Sequence, residues 1–312
     1  MFEKLKVIGG TSSLPLVEDI CSYLSGLTNT DIEPIKLISN KTENGEMYVE
    51  VCEEVTGCHV FVVQSFNRPI NDNIIELMMI LDTLHSMDVA EISLVVPYFG
   101  YNHNKTFNFE NIPHYQRVIA NIIQTSQIKR IITIGHQSHK LRGLFDIPLI
   151  NINDANLLSE YVLRDVTDYA ITTCNRNIEH QLEYWSQKVK HEIIANSAES
   201  YLNNVFEDRR VILIDSDLTE YRRICSFAKM LHKKGAKSIN CYISHGIITE
   251  YCFNELQDSK INHIYITNTV TLPKETRKNL QFTIIEVDEV LAQTMLQVYR
   301  HTSLSYMVNT FL

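Results

Sequence analysis

The residues best placed for chemistry stand at the ends of short apolar runs. Gly9-Gly10-Thr11-Ser12-Ser13 follows the run at 4–8 and precedes a helical pattern from about residue 14 to 24. A glycine-rich turn from strand to helix can hold a phosphate on its backbone N–H groups. The run is too short for a dinucleotide fingerprint, and a tight turn with a serine cap accounts for it without any ligand. His136 and His139 lie close together, and a histidine pair can hold a transition metal. No third ligand accompanies them, so hydrogen-bonded or surface histidines are the plainer reading. Arg222 and Arg223 open a helical segment; they can grip an anion with their side chains or stand as solvated charges on a first turn. The cysteines at 21, 52, 58, 174, 225, 241 and 252 form no CxxC pair and no zinc-like spacing. They read as reduced thiols used as small buried hydrophobes, consistent with a cytoplasmic setting.

These groups need a scaffold, and residues 60–101 supply its central unit. The β-branched run at 60–63 predicts a buried strand. Asn71 and Asp72 are expected to cap a helix over 73–86, in which Ile74, Leu77, Met78, Leu81 and Leu84 recur at three- and four-residue steps. A second strand is expected over 92–97. Strand, helix and strand make a βαβ unit, hence a parallel sheet with ligands at the carboxyl ends of its strands. The loops after Val63 and Val96 are the first places to look. Further strands are expected over 4–8, 33–38, 130–134, 169–172, 210–214, 238–243, 263–266 and 282–286. Helices are expected over 115–125, 178–189, 222–233 and 288–299, with a polar loop at 102–111. Asn44-Gly45 with alternation over 47–51 predicts a hairpin.

The chain has 312 residues, 45% hydrophobic and 21% charged, which suits two ordinary α/β domains. Its net charge of −9 argues against a broad nucleic-acid face. No signal peptide is expected, and no run approaches the roughly 18 apolar residues a membrane span needs.

VVQSFNRPINDNIIELMMILDTL followed by VVPYFGY resembles the ribose-phosphate pyrophosphokinase (phosphoribosyl diphosphate synthetase) family. NGEMYVEV, RGLFDIPLIN, KKGAKSINCYISHGI, ITNTVTLP and LAQTMLQVYRHTSLSYM extend the resemblance over nearly the whole chain in order. It implies an α/β fold of two tandem type I phosphoribosyltransferase-like domains, each a parallel sheet flanked by helices. The expected boundaries are 1–150 and 151–290, with a helix and tail over 291–312 packing back on the first domain. It implies transfer of the diphosphoryl group of ATP to ribose 5-phosphate with magnesium. It also implies a homo-oligomer, a dimer or hexamer; a hetero-oligomer with an active homologue is a separate reading, which the intact interface segments fit.

The charge-bearing motifs depart from the family pattern. In VILIDSDLTEYRRI, Asp215 keeps the first acid of the sugar-phosphate loop, while Ser216 and Thr219 stand where acids are expected. Glu220, Tyr221, Arg222 and Arg223 replace the Thr/Gly turn that cradles phosphate, and Glu220 is expected to repel one. After PYFGY, His103-Asn104-Lys105 replaces Arg-Gln-Asp, losing a planar guanidinium. Asn44 and Glu46 match the family's nucleotide loop, but Thr42 replaces its aromatic residue. Gly135 and Gln137 replace the acid and histidine of the metal loop, and Cys174 replaces a further acid. No Lys or Arg lies between His191 and Asn204, where the family carries a catalytic pair. Losing such a clamp lowers rate by about a thousandfold or more.

The resemblance therefore places a nucleotide near Asn44, Glu46, His103 and Asn104 and ribose phosphate near Asp215, Ser216 and Thr219; a metal at His136 rests on the histidine pair alone. It assigns no catalytic residue. The leading expectation is an impaired or inactive family member with a structural, regulatory or ligand-binding role. The alternative is an active enzyme with substituted ligands, using magnesium.

Overall fold

A computed structural model describes residues 4–101, 114–135, 141–162, 169–175, 178, 182, 192–194 and 205–304. The chain divides into two compact units. One comprises Met1–Ile134, Ser138–Ile152 and Val287–Leu312; the other comprises Gly135–Gln137 and Asn153–Glu286.

The first unit runs β1 (Leu5–Gly9), α1 (Leu14–Thr28), β2 (Pro34–Ile35), β3 (Leu37–Lys41), β4 (Met47–Val51), β5 (His59–Val63), α2 (Ile70–Ser86), β6 (Glu91–Val96), α3 (Tyr115–Gln124), β7 (Arg130–Ile134) and β8 (Leu149–Ile152). The second runs α4 (Asp154–Tyr161), β9 (Tyr169–Thr172), β10 (Glu192–Ile193), β11 (Arg210–Asp217), α5 (Tyr221–Lys233), β12 (Ser238–His245), α6 (Glu250–Gln257), β13 (His263–Thr267), α7 (Lys274–Lys278) and β14 (Phe282–Ile285). The last helix, α8 (Asp288–Tyr299), belongs to the first unit and lies against α1.

Each unit is built on a six-stranded parallel sheet. The orders are β2-β1-β5-β6-β7-β8 and β10-β9-β11-β12-β13-β14. With β3 and β4 set aside as a separate antiparallel hairpin, both sheets follow the same path: second strand, first, third, then onward to the edge. The order reverses between β1 and β5 in one unit and between β9 and β11 in the other. Connections leave those neighbours in opposite directions, opening a crevice at their carboxyl ends where ligands bind in doubly wound sheets.

The buried runs explain the layers. All five residues of β5 are buried, as a central parallel strand covered on both faces requires. Val60, Val62, Leu94, Val96 and Ile131 pack with Ile74, Leu77, Ile80, Leu81 and Leu84 of α2. In the second unit Val211, Leu213, Ile239, Cys241, Ile243 and Ile264 pack with Ile224, Ala228 and Leu231 of α5 and Leu256 of α6.

Several expectations are corrected. Helix α2 begins at Ile70, not near Asn73, and its N-cap is Pro69, without a side-chain cap. Asn71 and Asp72 therefore lie inside the first turn. There Asp72 pairs with Lys41 of the hairpin at 2.6 Å, and Asn71 accepts from the Tyr101 hydroxyl. The strand expected at 33–38 is split because β2 joins the parallel sheet while β3 leaves it for the hairpin. Strands β11 and β12 run to Asp217 and His245, so Asp215 sits within a strand rather than beyond one. All seven cysteines are free, but Cys52 is exposed. Of the helix expected over 178–189 only Ile178 and Leu182 are among the described residues, and the loop at 102–111 lies outside them.

Candidate functional site

The crevice of the second unit gathers the loop after β9 and the end of β11. Strand pairing sets Leu213 beside Thr172, so the residues just beyond, Cys174 and Asn175, face Asp215. The Asp215 carboxylate is almost fully buried, at 1% exposure. Its Oδ1 accepts from Asn175 Nδ2 at 2.9 Å and from the Ser216 backbone N–H at 2.8 Å. Its Oδ2 faces the Cys174 thiol at 3.6 Å and Arg223 Nη2 at 3.3 Å. Burial pushes the Asp215 carboxyl above its ordinary range, while the Asn175 hydrogen bond, the Arg223 charge and the Ser216 N–H pull it back. Burial, and then the neighbouring Asp215, pushes the Cys174 thiol up to about 12, so it stays protonated near neutrality.

Arg223 lies in the first turn of α5 and reaches back to this carboxylate. Its other terminal nitrogen, Nη1, donates to Glu220 Oε2 at 3.0 Å. Burial opposes the guanidinium charge, yet Asp215, Cys174 and Glu220 more than offset it and raise its pKa. Sequence reasoning leaves Arg223 as a solvated charge; the structure turns it inward. Arg222 is the one left exposed, with its guanidinium over the Tyr221 ring, 5.7 Å from the centroid.

The backbone of the turn is also occupied. Asp217 Oδ1 accepts the Thr219 N–H at 2.9 Å and the Thr219 hydroxyl. The Tyr221 N–H goes to Leu218 O and the Arg223 N–H to Glu220 O. A phosphate nest needs amides free to converge on one point. Here three of those amides serve the turn itself.

The crevice of the first unit is closed differently. Gly10 N–H donates to Val63 O, joining the turn after β1 to the end of β5. The Thr11 N–H and hydroxyl both reach Glu76 Oε2, at 3.1 and 2.9 Å, and Gln64 Nε2 adds a third donor at 2.8 Å. Glu76, from α2, is fully buried. Its carboxylate sits where an external anion would otherwise meet the turn. Ser13 does not cap α1; its hydroxyl instead accepts the Ser65 N–H at 2.9 Å. Gly10 is required by close approach, since a β-carbon there would lie 2.1 Å from Gln64 Oε1.

The remaining candidates are dispersed. Asn44 and Glu46 occupy the exposed tip of the β3–β4 hairpin, where Thr42 and Glu46 bond to each other. Asp215 and Ser216 lie near the end of β11 and Thr219 in the turn that follows, so these three do stand together. His103, Asn104, His136 and His139 lie outside the described residues. Gly135, at the end of β7, has φ +116, and a β-carbon there would sit 2.9 Å from His245 Nε2. An acid at 135 therefore requires His245, held through Nδ1 by Thr269, to move. Asn175 and Asp217 line this site without being named by sequence reasoning, and Arg223, weighed there between an anion grip and a solvated charge, pairs with Asp215 instead. For Asn175 the sequence offers only a polar residue just past a strand; its meeting with Asp215 comes from the pairing of β9 with β11.

Comparison with known proteins accounts for the architecture. A family model described as the N-terminal domain of ribose phosphate pyrophosphokinase matches residues 5–126, and one described as the phosphoribosyl synthetase-associated domain matches residues 201–309. A ribose-phosphate pyrophosphokinase of Prochlorococcus marinus is 26% identical over 98% of this chain and 95% of its own length. Ribose-phosphate pyrophosphokinase 1 of Listeria innocua is 28% identical over 97% of this chain and 96% of its own. The crystal structure of phosphoribosylpyrophosphate synthetase from Mycobacterium smegmatis superposes with a TM-score of 0.86 at 20% identity, covering 96% of this chain and 100% of that one. The two matched domains, the relatives' full-length coverage and the shared fold agree: the chain belongs to the ribose-phosphate pyrophosphokinase family.

Proposed function

We propose that this family member is catalytically impaired or inactive in the family reaction, transfer of a diphosphoryl group from ATP to ribose 5-phosphate, and serves a structural, regulatory or ligand-binding role. One observation carries the reading. Asp215, the acid expected to meet the sugar hydroxyls, is buried and already held by Asn175, Ser216, Cys174 and Arg223. A sugar must displace Arg223 from it and give up that ion pair, which opposes binding. The spent amides of the turn remove the donors that would compensate.

Magnesium fits this loop poorly. It asks for several oxygen ligands in octahedral array. Both Asp215 oxygens are engaged, Asp217 Oδ1 holds Thr219, and Cys174 offers a protonated thiol where the family has an acid. Among the described residues no group of three His, Cys, Asp or Glu side chains is arranged to hold a metal ion.

Asn44 and Glu46, with His103 and Asn104, remain the proposed nucleotide contacts. Assembly into a homo-oligomer, or with an active homologue, is supported by exposed apolar side chains on α2 and α3: Ile75, Met79, Val118 and Ile122. No helix among the described residues is long and apolar enough to cross a membrane.

A second reading, an active ribose-phosphate diphosphokinase with substituted ligands, is favoured by the near-complete coverage of relatives bearing that name. An assay of ribose 5-phosphate-dependent AMP release from ATP with magnesium separates the two. The first reading expects a rate about a thousandfold or more below the Listeria innocua relative assayed alongside. A comparable rate overturns it.

A further inference from the structure

We propose that a cleft at the amino ends of β12 and β13 binds a small organic polyacid, one carrying two or three carboxylates. The cleft has a volume of about 280 Å³, and His232, Lys237, Ser238, Lys260 and Asn262 are among its lining residues. The eight residues of β12 set it roughly 25 Å from the carboxyl ends of the strands, where the crevice opens. The proposal therefore goes beyond the reading above and stands whether or not the family reaction occurs.

Two helix-to-strand connections build the cleft. Lys237 lies between α5 and β12, and Lys260 between α6 and β13. Their backbones are anchored. The Lys237 N–H donates to Arg209 O at 2.8 Å. Lys260 stands between Ser259, whose hydroxyl donates to Leu256 O at 2.6 Å and accepts the Ile261 N–H at 3.2 Å, and Ile261, whose carbonyl accepts from Gln281 Nε2 at 2.8 Å. Asn262 ties the two connections together. Its Oδ1 accepts the Ile239 N–H and its own N–H donates to Ile239 O, both at 2.7 Å. That use of Oδ1 leaves the Asn262 side-chain NH2 as a donor.

The lining carries one sign of charge. His232, Lys237 and Lys260 have no ion pair or side-chain hydrogen bond among the described residues, and no Asp or Glu is among the lining side chains. On a chain of net charge −9, such a cleft attracts anions that the rest of the surface repels. Size and donor chemistry select the class. The volume falls just below the roughly 300–1,000 Å³ of sites for drug-sized ligands, so the occupant is small. No arginine lines the cleft, so the planar fork that grips a single anionic centre is missing. The cations are point charges carried on separate elements, and they suit carboxylates set apart on a short carbon chain.

The test is calorimetric titration of the full chain with citrate, acetate and inorganic phosphate, at constant ionic strength and without magnesium. Citrate is expected to fill one site per chain. Acetate, which can meet only one cation, should bind about tenfold more weakly or worse. Lys237→Gln and Lys260→Gln should each weaken citrate by about fivefold. Lys233→Gln removes the same charge from the exposed end of α5 but from no wall of the cleft, and should change affinity by less than about twofold. All three lysines are exposed, and matching urea midpoints check that the variants keep the fold. An equal loss in Lys233→Gln overturns the proposal, because diffuse charge then explains the binding. Absence of citrate binding, or binding indifferent to Lys237 and Lys260, overturns it as well. Phosphate bound as tightly as citrate overturns the assignment to a polyacid.

Discussion

The two units share one strand order, and each has a strand-to-helix turn at its switch point, after the first strand, β1, in one and after the third, β11, in the other; they close those turns with opposite charges. In the first, an internal carboxylate, Glu76, takes the donors of the turn after β1. In the second, an internal guanidinium, Arg223, takes the acid at the end of β11. Glu76 comes from the body of α2 and is sealed from water, so its turn behaves as core. Arg223 and Glu220 come from the rim, with side chains 38% and 47% exposed, so their turn can exchange a partner. The same topology thus gives one turn sealed as core and one open at its rim. Burial of the occupant separates them.

The largest expected effect breaks the first turn. Glu76→Ala strands the Thr11 and Gln64 donors in a dry pocket and should cost about 3 kcal/mol of unfolding free energy, read as a fall in the urea midpoint at unchanged slope. Loss below about 1 kcal/mol would mean that the turn is not core.

The next effect concerns pH and the same unit. His59 is buried, with Nε2 2.9 Å from Ser93 Oγ and 3.3 Å from Glu91 Oε1. Burial, helped by Arg130 and His301, outweighs the attraction of Glu91 and holds its pKa down to about 4 from 6.5. The folded state therefore binds fewer protons than the unfolded chain between those values. Stability is full above about pH 6.5 and falls as pH drops toward 4, by about 3 kcal/mol in all. Urea midpoints across this range should decline for the wild type and decline less for His59→Gln.

Breaking the second turn should cost less. Asp215→Ala leaves Arg223 and Asn175 without their partner, but the half-exposed guanidinium can turn to water; about 2 kcal/mol is expected by chemical denaturation. Glu220→Gln, at the rim, should change stability by less than about 0.5 kcal/mol. If Glu220→Gln destabilised the chain as much as Asp215→Ala, the contrast between fixed and exchangeable occupants would fail.

The fold is readable where local pattern and burial agree. The β-branched run of β5 and the three-four spacing of α2 name their structures because a central parallel strand and an amphipathic helix each demand one pattern. Asp215 is readable as a site residue because it ends an apolar run. Arg223 is not. A cation on a first helical turn looks the same in sequence whether water or a carboxylate eight residues back receives it. Asn175 is separated from Asp215 by 40 residues and meets it only through the pairing of β9 with β11. Ser13 misleads because a nearby backbone donor, Ser65 N–H, claims its hydroxyl in place of the expected cap. Tertiary partners decide all three, and local propensity carries no record of them.

The most direct test is a crystal structure of the full chain soaked with ribose 5-phosphate, magnesium and an ATP analogue. The account predicts that Arg223 stays on Asp215 and that the sugar hydroxyls do not reach that carboxylate. Sugar hydroxyls on Asp215, with Arg223 swung out and a triphosphate aligned beside the ribose, would contradict it.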